Sequence, residues 1–388
     1  MPTTNFRNLL YRAALPLAPS PRGQMTHNDH GHPIDLRAYE RILCKHHVLG
    51  ASLLLNDGDA YSAVHTSTAH PRHHADADTL FRVASITKMA TALVILKLAE
   101  EGAFALDDLI APLLPDTDAL PALQGITIRQ LLSHTSGLRD VPAYEQALRD
   151  GQTFHHVLAA DGVRVSSNAM SYCNLGFGLL GCLMEAVTGQ SLESVFQSRL
   201  FQPLGMEATL DASTLDENRI MPIARVLPYH KGQDVTITAL GRRSIAQADP
   251  TRHFGHTAGA MYTNCASLSN LLLIIANDGA YAGKQYFIPA SIQQMKTQHS
   301  FTGPASAPTR RYGLGLVILD RPDLSKHRIY GHQGFAYGCV DGAFYEECTG
   351  RQVIFLNGGC SEAREGRLGL CNKELLRWAL QKEIPSWK

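Results

Sequence analysis

Ser85-Ile86-Thr87-Lys88 is the one S-x-x-K in the chain. Three residues apart on a helix, the two side chains share a face and come within reach of each other. A serine at a helix N-terminus also meets free backbone N–H groups and the positive end of the helix dipole. A lysine held on an apolar helix is stripped of water, which favours proton exchange with a neighbouring hydroxyl. The chemistry open to the pair is attack by Ser85 on a carbonyl carbon, with Lys88 handling the proton. Alone, the same four residues equally describe a capping serine followed by a lysine that lays its stem along the helix.

The elements that would position this pair are legible in the pattern around it. SITKMATALVILKLAEEG is apolar on nearly every side, which predicts a buried helix from Ser85 to about Gly102. Upstream, Asp35 is a candidate cap for a helix to about Lys45, and GASLLLNDGDAYSAV reads as a hairpin turning at residues 56–59. Downstream, Thr127 and Gln130 have capping-box spacing. NLGFGLLGCLMEAVTGQ, SLESVFQSRLF and TNCASLSNLLLIIANDG read as three further helices, with Gly189 and Gly279 as stops.

The last ninety or so residues return to strands: YGLGLVIL, HRIYGH, VDGAFYEE and RQVIFLNGG, then a helix over about 364–381. Strands at both ends with helices between predict an α+β fold. Its mostly antiparallel sheet is built from both chain ends, flanked by helices, with an inserted mainly helical region. The expected division is an N-terminal extension over 1–35, possibly disordered, and a sheet-containing region of 36–105 plus 300–388. A helical region of 106–299 completes it, with the active site at the junction.

Composition narrows the function. With 35 basic and 35 acidic residues among 388, the formal net charge is zero, so no basic stripe points to nucleic acid. No apolar run is long enough to span a membrane. Eighteen histidines cluster at 27/30/32, 70/73/74, 155/156 and 253/256 without zinc-site spacing, so no metal is expected. Eight cysteines without a C-x-x-C pair suit reduced thiols. The N-terminus shows no unbroken secretory-type apolar stretch, which predicts a cytoplasmic protein, or a secreted or periplasmic one if a signal has been removed. A small molecule or short peptide is the expected partner.

Several blocks follow one another in order: TLFRVASITKMATALVILKLAEEGAFALDD, ITIRQLLSHTSGL, SYCNLGFGLLGCLMEAVTGQSLESVF, LFQPLGMEAT and HTAGAMYTNCASLSNLLLIIANDG. Together they resemble the serine β-lactamase-like superfamily of class C β-lactamases, DD-peptidases, D-aminopeptidases and related esterases, over most of the chain beyond residue 45. The resemblance implies a β-lactamase/transpeptidase-like fold with a Y-x-N motif. Two triplets compete for it, Tyr172-Cys173-Asn174 and Tyr262-Thr263-Asn264. The first precedes the glycine-rich helix, so Tyr172 and Asn174 are the expected pair. An isolated phenol ionises at about pH 10 and is a poor base. Beside an ammonium its phenolate is stabilised, so Tyr172 could take the Ser85 proton and pass it to the leaving group. Asn174 could orient Lys88 and a substrate amide.

Where β-lactamases carry K-T-G, this chain has His332-Gln333-Gly334; His230-Lys231-Gly232 lacks the strand context. Lysine there gives a permanent charge, whereas histidine is only partly charged near neutrality. The substitution resembles the D-aminopeptidase, esterase and amidase branches. Gly334 would let substrate approach the strand, and the N–H groups of Ser85 and Phe335 are the implied oxyanion donors. The expected reaction is cofactor-free hydrolysis of a small ester or amide through a Ser85 acyl-enzyme. The alternatives are a penicillin-binding DD-peptidase or β-lactamase, and a sensor module that binds or is acylated without turnover.

Overall fold

A computed structural model describes residues 10–11, 13–17, 25–30, 35–57, 61–66, 75–227, 229–230, 244–303 and 310–381. Its centre is a nine-stranded antiparallel sheet. The early strands are β1 (Met25–His30), β2 (Ala51–Asn56) and β3 (Tyr61–Thr66). The late ones are β4 (Ser300–Thr302), β5 (Arg310–Tyr312), β6 (Val317–Leu319), β7 (Ile329–Ala336), β8 (Cys339–Glu346) and β9 (Gln352–Asn357). The spatial order is β1-β3-β2-β9-β8-β7-β6-β5-β4, so the β2–β9 pairing joins the two chain ends. The α+β architecture predicted from the pattern is the one observed. Met25–His30, within the stretch expected as an N-terminal extension, pairs with β3 along its full length.

The central strands read as unbroken apolar runs because both faces of the sheet are covered. Leu53, Leu55, Val353 and Phe355 point into one core with Tyr39, Leu375 and Leu376. Leu54, Ile354 and Leu356 point into the other, with the long helices. On the first face lie α1 (Leu36–Lys45), capped by the Asp35 carboxylate, and the C-terminal helix Leu370–Gln381. That last helix begins later than the expected 364. Gly366 takes φ +59°, and Arg364–Glu365 and Leu368–Gly369 turn back on each other as a small hairpin. The YGLGL segment is likewise not one strand. Gly315 takes φ +66°, and a Cβ there would lie 2.6 Å from the Lys88 carbonyl oxygen, so the chain turns to lie against that helix.

The other face carries α2 (Thr87–Glu100), α3 (Ile128–Leu132), α4 (Asn174–Thr188) and α5 (Cys265–Ala276). The reciprocal Thr127–Gln130 cap opens α3, and Gly189 in the left-handed region closes α4. Eleven of the fourteen residues of α2 are buried, Lys88 among them, which agrees with its all-round apolar sequence. The glycines of α4 have a defined use. Built Cβ atoms would sit 1.7 Å from the Phe254 carbonyl oxygen at Gly178 and 2.6 Å from Thr257 Oγ1 at Gly181. The backbone of 254–258 therefore runs directly against α4, tied by Thr257 Oγ1 donating to the Phe177 carbonyl at 2.8 Å and Thr91 Oγ1 donating to the Thr257 carbonyl at 2.8 Å. Among the described residues no single helix is long and apolar enough to cross a membrane. Gly178→Ala should lower the unfolding free energy in urea by about 1–3 kcal/mol or more through overpacking; a change below about 0.5 kcal/mol would contradict the close approach.

Candidate active site

Ser85 stands at a strand-to-helix elbow. Phe81–Arg82 pairs with Tyr262–Thr263, and the Val83 N–H continues the pairing to the Met261 carbonyl at 3.0 Å. Ala84 then takes φ +46°, a conformation costing an L-residue about 1–3 kcal/mol, and a tight Ala84–Ile86 turn feeds α2. The elbow is held from outside by glycine. A Cβ on Gly334 would fall 2.3 Å from the Val83 carbonyl oxygen and 3.3 Å from the Ala84 Cβ. Gly334 thus serves the approach of β7 to the elbow.

Lys88 is fully buried. Its Nζ donates to Ser85 Oγ at 3.1 Å, Asn174 Oδ1 at 2.8 Å and the Ala258 carbonyl at 2.6 Å. Three acceptors match the three hydrogens of an ammonium. Asn174 is oriented by a residue that motif reasoning missed. Asp140 accepts from Asn174 Nδ2 at 2.8 Å and from the backbone N–H groups of Asn174 and Leu175 at 2.8 and 2.9 Å. A carboxylate there can only accept, so Nδ2 faces Asp140 and Oδ1 faces Lys88. The negative charge also sits at the positive end of α4. Lys88 and Asp140 thus take one end each of the amide expected to meet substrate. Asp140 lies in a loop 34 residues before Asn174, with only the SHTSGL block nearby to mark it.

Tyr172 is brought to the same place. Lys88 Nζ lies 4.9 Å from its ring centre and the Arg310 guanidinium carbon 4.8 Å. His134 stacks on it at 4.3 Å between centroids and accepts the Cys173 N–H at Nδ1. His332 is placed differently from expectation: it is 1% exposed and does not line the cavity at Ser85. It donates from Nδ1 to the Gln333 carbonyl at 2.7 Å, and its Nε2 shares a hydrogen bond with the Tyr312 hydroxyl at 3.0 Å. Burial, then the Arg310 and Lys88 cations, push its pKa well below the ordinary value, which favours the neutral ring.

Ser85, Asn174 and Phe335 line a cavity of about 330 Å3, with Tyr144 and Tyr337 on its wall. β6 pairs with β7 only as far as Gly331, so the edge from His332 to Ala336 is left for the elbow and for whatever occupies the cavity. The rival triplet has structural uses: Tyr262 is 2% exposed in its small sheet, and Asn264 caps α5. Lys231 and Gly232 of the rival H-x-G lie outside the described residues. Cys173 is buried with its thiol donating to Asp140, where burial raises its pKa well above a free thiol's. Removing the carboxylate that fixes Asn174 should lower turnover: Asp140→Ala is expected to cost about tenfold to a hundredfold in kcat by displacing Lys88 from Ser85. Unchanged initial rates in a folded variant would refute that placement.

A Beta-lactamase family model matches residues 32–347. Penicillin-binding protein 4 of Amycolatopsis lactamdurans is 31% identical over 215 residues, covering 53% of this chain and about half, 54%, of its own length. Esterase EstB of Burkholderia gladioli is 32% identical over 348 residues, covering 76% of this chain and 82% of its own. In structure, the D-amino acid amidase of Ochrobactrum anthropi SV3 complexed with L-phenylalanine superposes with a TM-score of 0.69 at 21% identity, over 88% of this chain and 96% of that one. With a sheet joined from both chain ends and a serine and lysine paired at the elbow beside it, the chain belongs to the Beta-lactamase family of serine hydrolases.

Proposed function

We propose that the protein hydrolyses a small ester or amide through a Ser85 acyl-enzyme. The observation that carries this is the Lys88 ammonium held between Ser85 Oγ and Asn174 Oδ1, two residues that line the cavity, and beside the Tyr172 ring. Ser85 Oγ attacks the carbonyl carbon and its proton passes to the Tyr172 phenolate, while Lys88 stays an ammonium bonded to Ser85 Oγ and Asn174 Oδ1. The N–H groups of Ser85 and Phe335 stabilise the tetrahedral oxyanion. Tyr172 returns the proton to the departing alcohol or amine. Water then attacks the acyl ester by the reverse route, releasing the acid and restoring Ser85. The chain's own residues supply every step, without a cofactor.

The names esterase and D-amino acid amidase among similar proteins support an ester or amide as substrate, D-amino-acid amides and peptides included. Within the same chemistry, a penicillin-binding peptidase or β-lactamase activity is the second reading, favoured by the relative named Penicillin-binding protein 4. The neutral His332 argues against it, since no permanent charge stands at that position to hold a β-lactam carboxylate. Eight free thiols support a reducing, cytoplasmic setting.

The deciding assay compares initial rates on a short p-nitrophenyl ester, a D-alanyl anilide and a chromogenic cephalosporin, with Ser85→Ala as control. Turnover of the ester or anilide is expected, falling by a thousandfold or more in Ser85→Ala, on the order of what loss of a nucleophile costs, with little cephalosporin loss. Wild-type rates in Ser85→Ala would end the proposal. Fast cephalosporin hydrolysis would move the assignment to β-lactamase.

A further inference from the structure

Arg310, on β5, is a buried cation that the relay above does not use. It is 9% exposed, and no carboxylate among the described residues pairs with it. Its guanidinium carbon lies 4.8 Å from the Tyr172 ring centre and 5.3 Å from that of Tyr312. An uncompensated buried charge is costly, so the pocket must offer it an anion or an electron-rich face in at least one working state. Tyr312 is not that anion. Its hydroxyl is hydrogen-bonded to His332, and burial raises its pKa well above the ordinary phenol value. The other phenol in contact is Tyr172, whose hydroxyl has no hydrogen-bonding partner among the described residues.

The groups facing Tyr172 come from four parts of the fold: Lys88 from α2, His134 from the turn after α3, Arg310 and Tyr312 from β5, and His332 from β7. Asp140 is bonded to the next two residues, Cys173 and Asn174, and Arg367 approaches Arg310. His134 accepts a backbone N–H at Nδ1, so its ring is neutral, and burial with the nearby cations favours the neutral form of His332. The permanent charges on the Tyr172 ring are therefore Lys88 and Arg310.

We propose that Arg310 is a positioning residue for the reaction: it favours the phenolate form of Tyr172, supplying from β5 the fixed charge that neutral His332 does not supply from β7. The inference rests on the reading of Tyr172 as proton acceptor. In that reading the three Lys88 hydrogens are taken by Ser85, Asn174 and Ala258, so a second cation adds to the stabilisation of the phenolate.

The test is kcat/KM against pH on the p-nitrophenyl ester for wild type, Arg310→Gln, Arg310→Lys and Tyr172→Phe. Loss of the cation disfavours the phenolate, so the acidic limb of Arg310→Gln should move to higher pH by about one unit or more. Activity at neutral pH should fall about tenfold and recover in alkali, with KM within about twofold. Arg310→Lys should restore most of the wild-type profile. If Arg310→Gln does not fold, Arg310→Met, which fills the same aromatic slot without charge, should give the same displaced limb. An unmoved limb in Arg310→Gln or Arg310→Met, with Tyr172→Phe inactive, overturns the role of Arg310 and leaves the Tyr172 reading standing. An active Tyr172→Phe overturns the Tyr172 reading itself, and this inference with it.

Discussion

The structure turns on one buried ammonium. Placing Lys88 on a helix with no exposed face costs several kcal/mol unless each of its hydrogens finds an acceptor. Ser85 on the same helix, Asn174 at the start of α4 and the Ala258 carbonyl between them supply the set. Each comes from a different segment, so the lysine's demand for acceptors fixes the elbow, α4 and the 254–258 backbone relative to one another.

Much of the surrounding packing can be understood as making those approaches possible. Gly178 and Gly181 let 254–258 lie against α4 closely enough to bring the Ala258 carbonyl to Lys88. Gly315 lets the turn before β6 rest on α2, and Gly334 lets β7 touch the elbow. Interiors pack without slack, so a methyl at Gly178, Gly315 or Gly334 runs into backbone, and one at Gly181 into the Thr257 side chain. Asp140 acts at one remove: it caps α4 and turns the Asn174 amide so that oxygen faces the lysine.

The electrostatics beside Tyr172 follow from what the neighbours can accept or donate. Burial and the nearby Arg310 and Lys88 cations push the His332 pKa down and favour its neutral ring. Fixed positive charge near the tyrosine then comes from Lys88 and Arg310. This distribution differs from a strand lysine facing the cavity, and it separates charge at the proton relay from charge at the substrate.

Local pattern determined a good deal by itself. The unbroken apolar runs at Leu53–Leu55 and in β9, the capping box at Thr127, the cap at Asp35 and the all-round apolar α2 each have one physical reading, and the fold contains each of them. The pairing of Ser85 with Lys88 was also legible, because helical spacing alone sets that distance. What tertiary structure decided lies between segments distant in sequence. The partners of Asn174, the neutrality of His332 and the contact of Arg310 with Tyr172 depend on which acceptors and rings meet across 34, 20 and 138 residues. Met25–His30 carried no strand signal, being polar after Met25, and became an edge strand because β3 offered an unpaired backbone. Residue type fixes what a group can do; only the fold fixes its solvent exposure and its partners, and those set its charge.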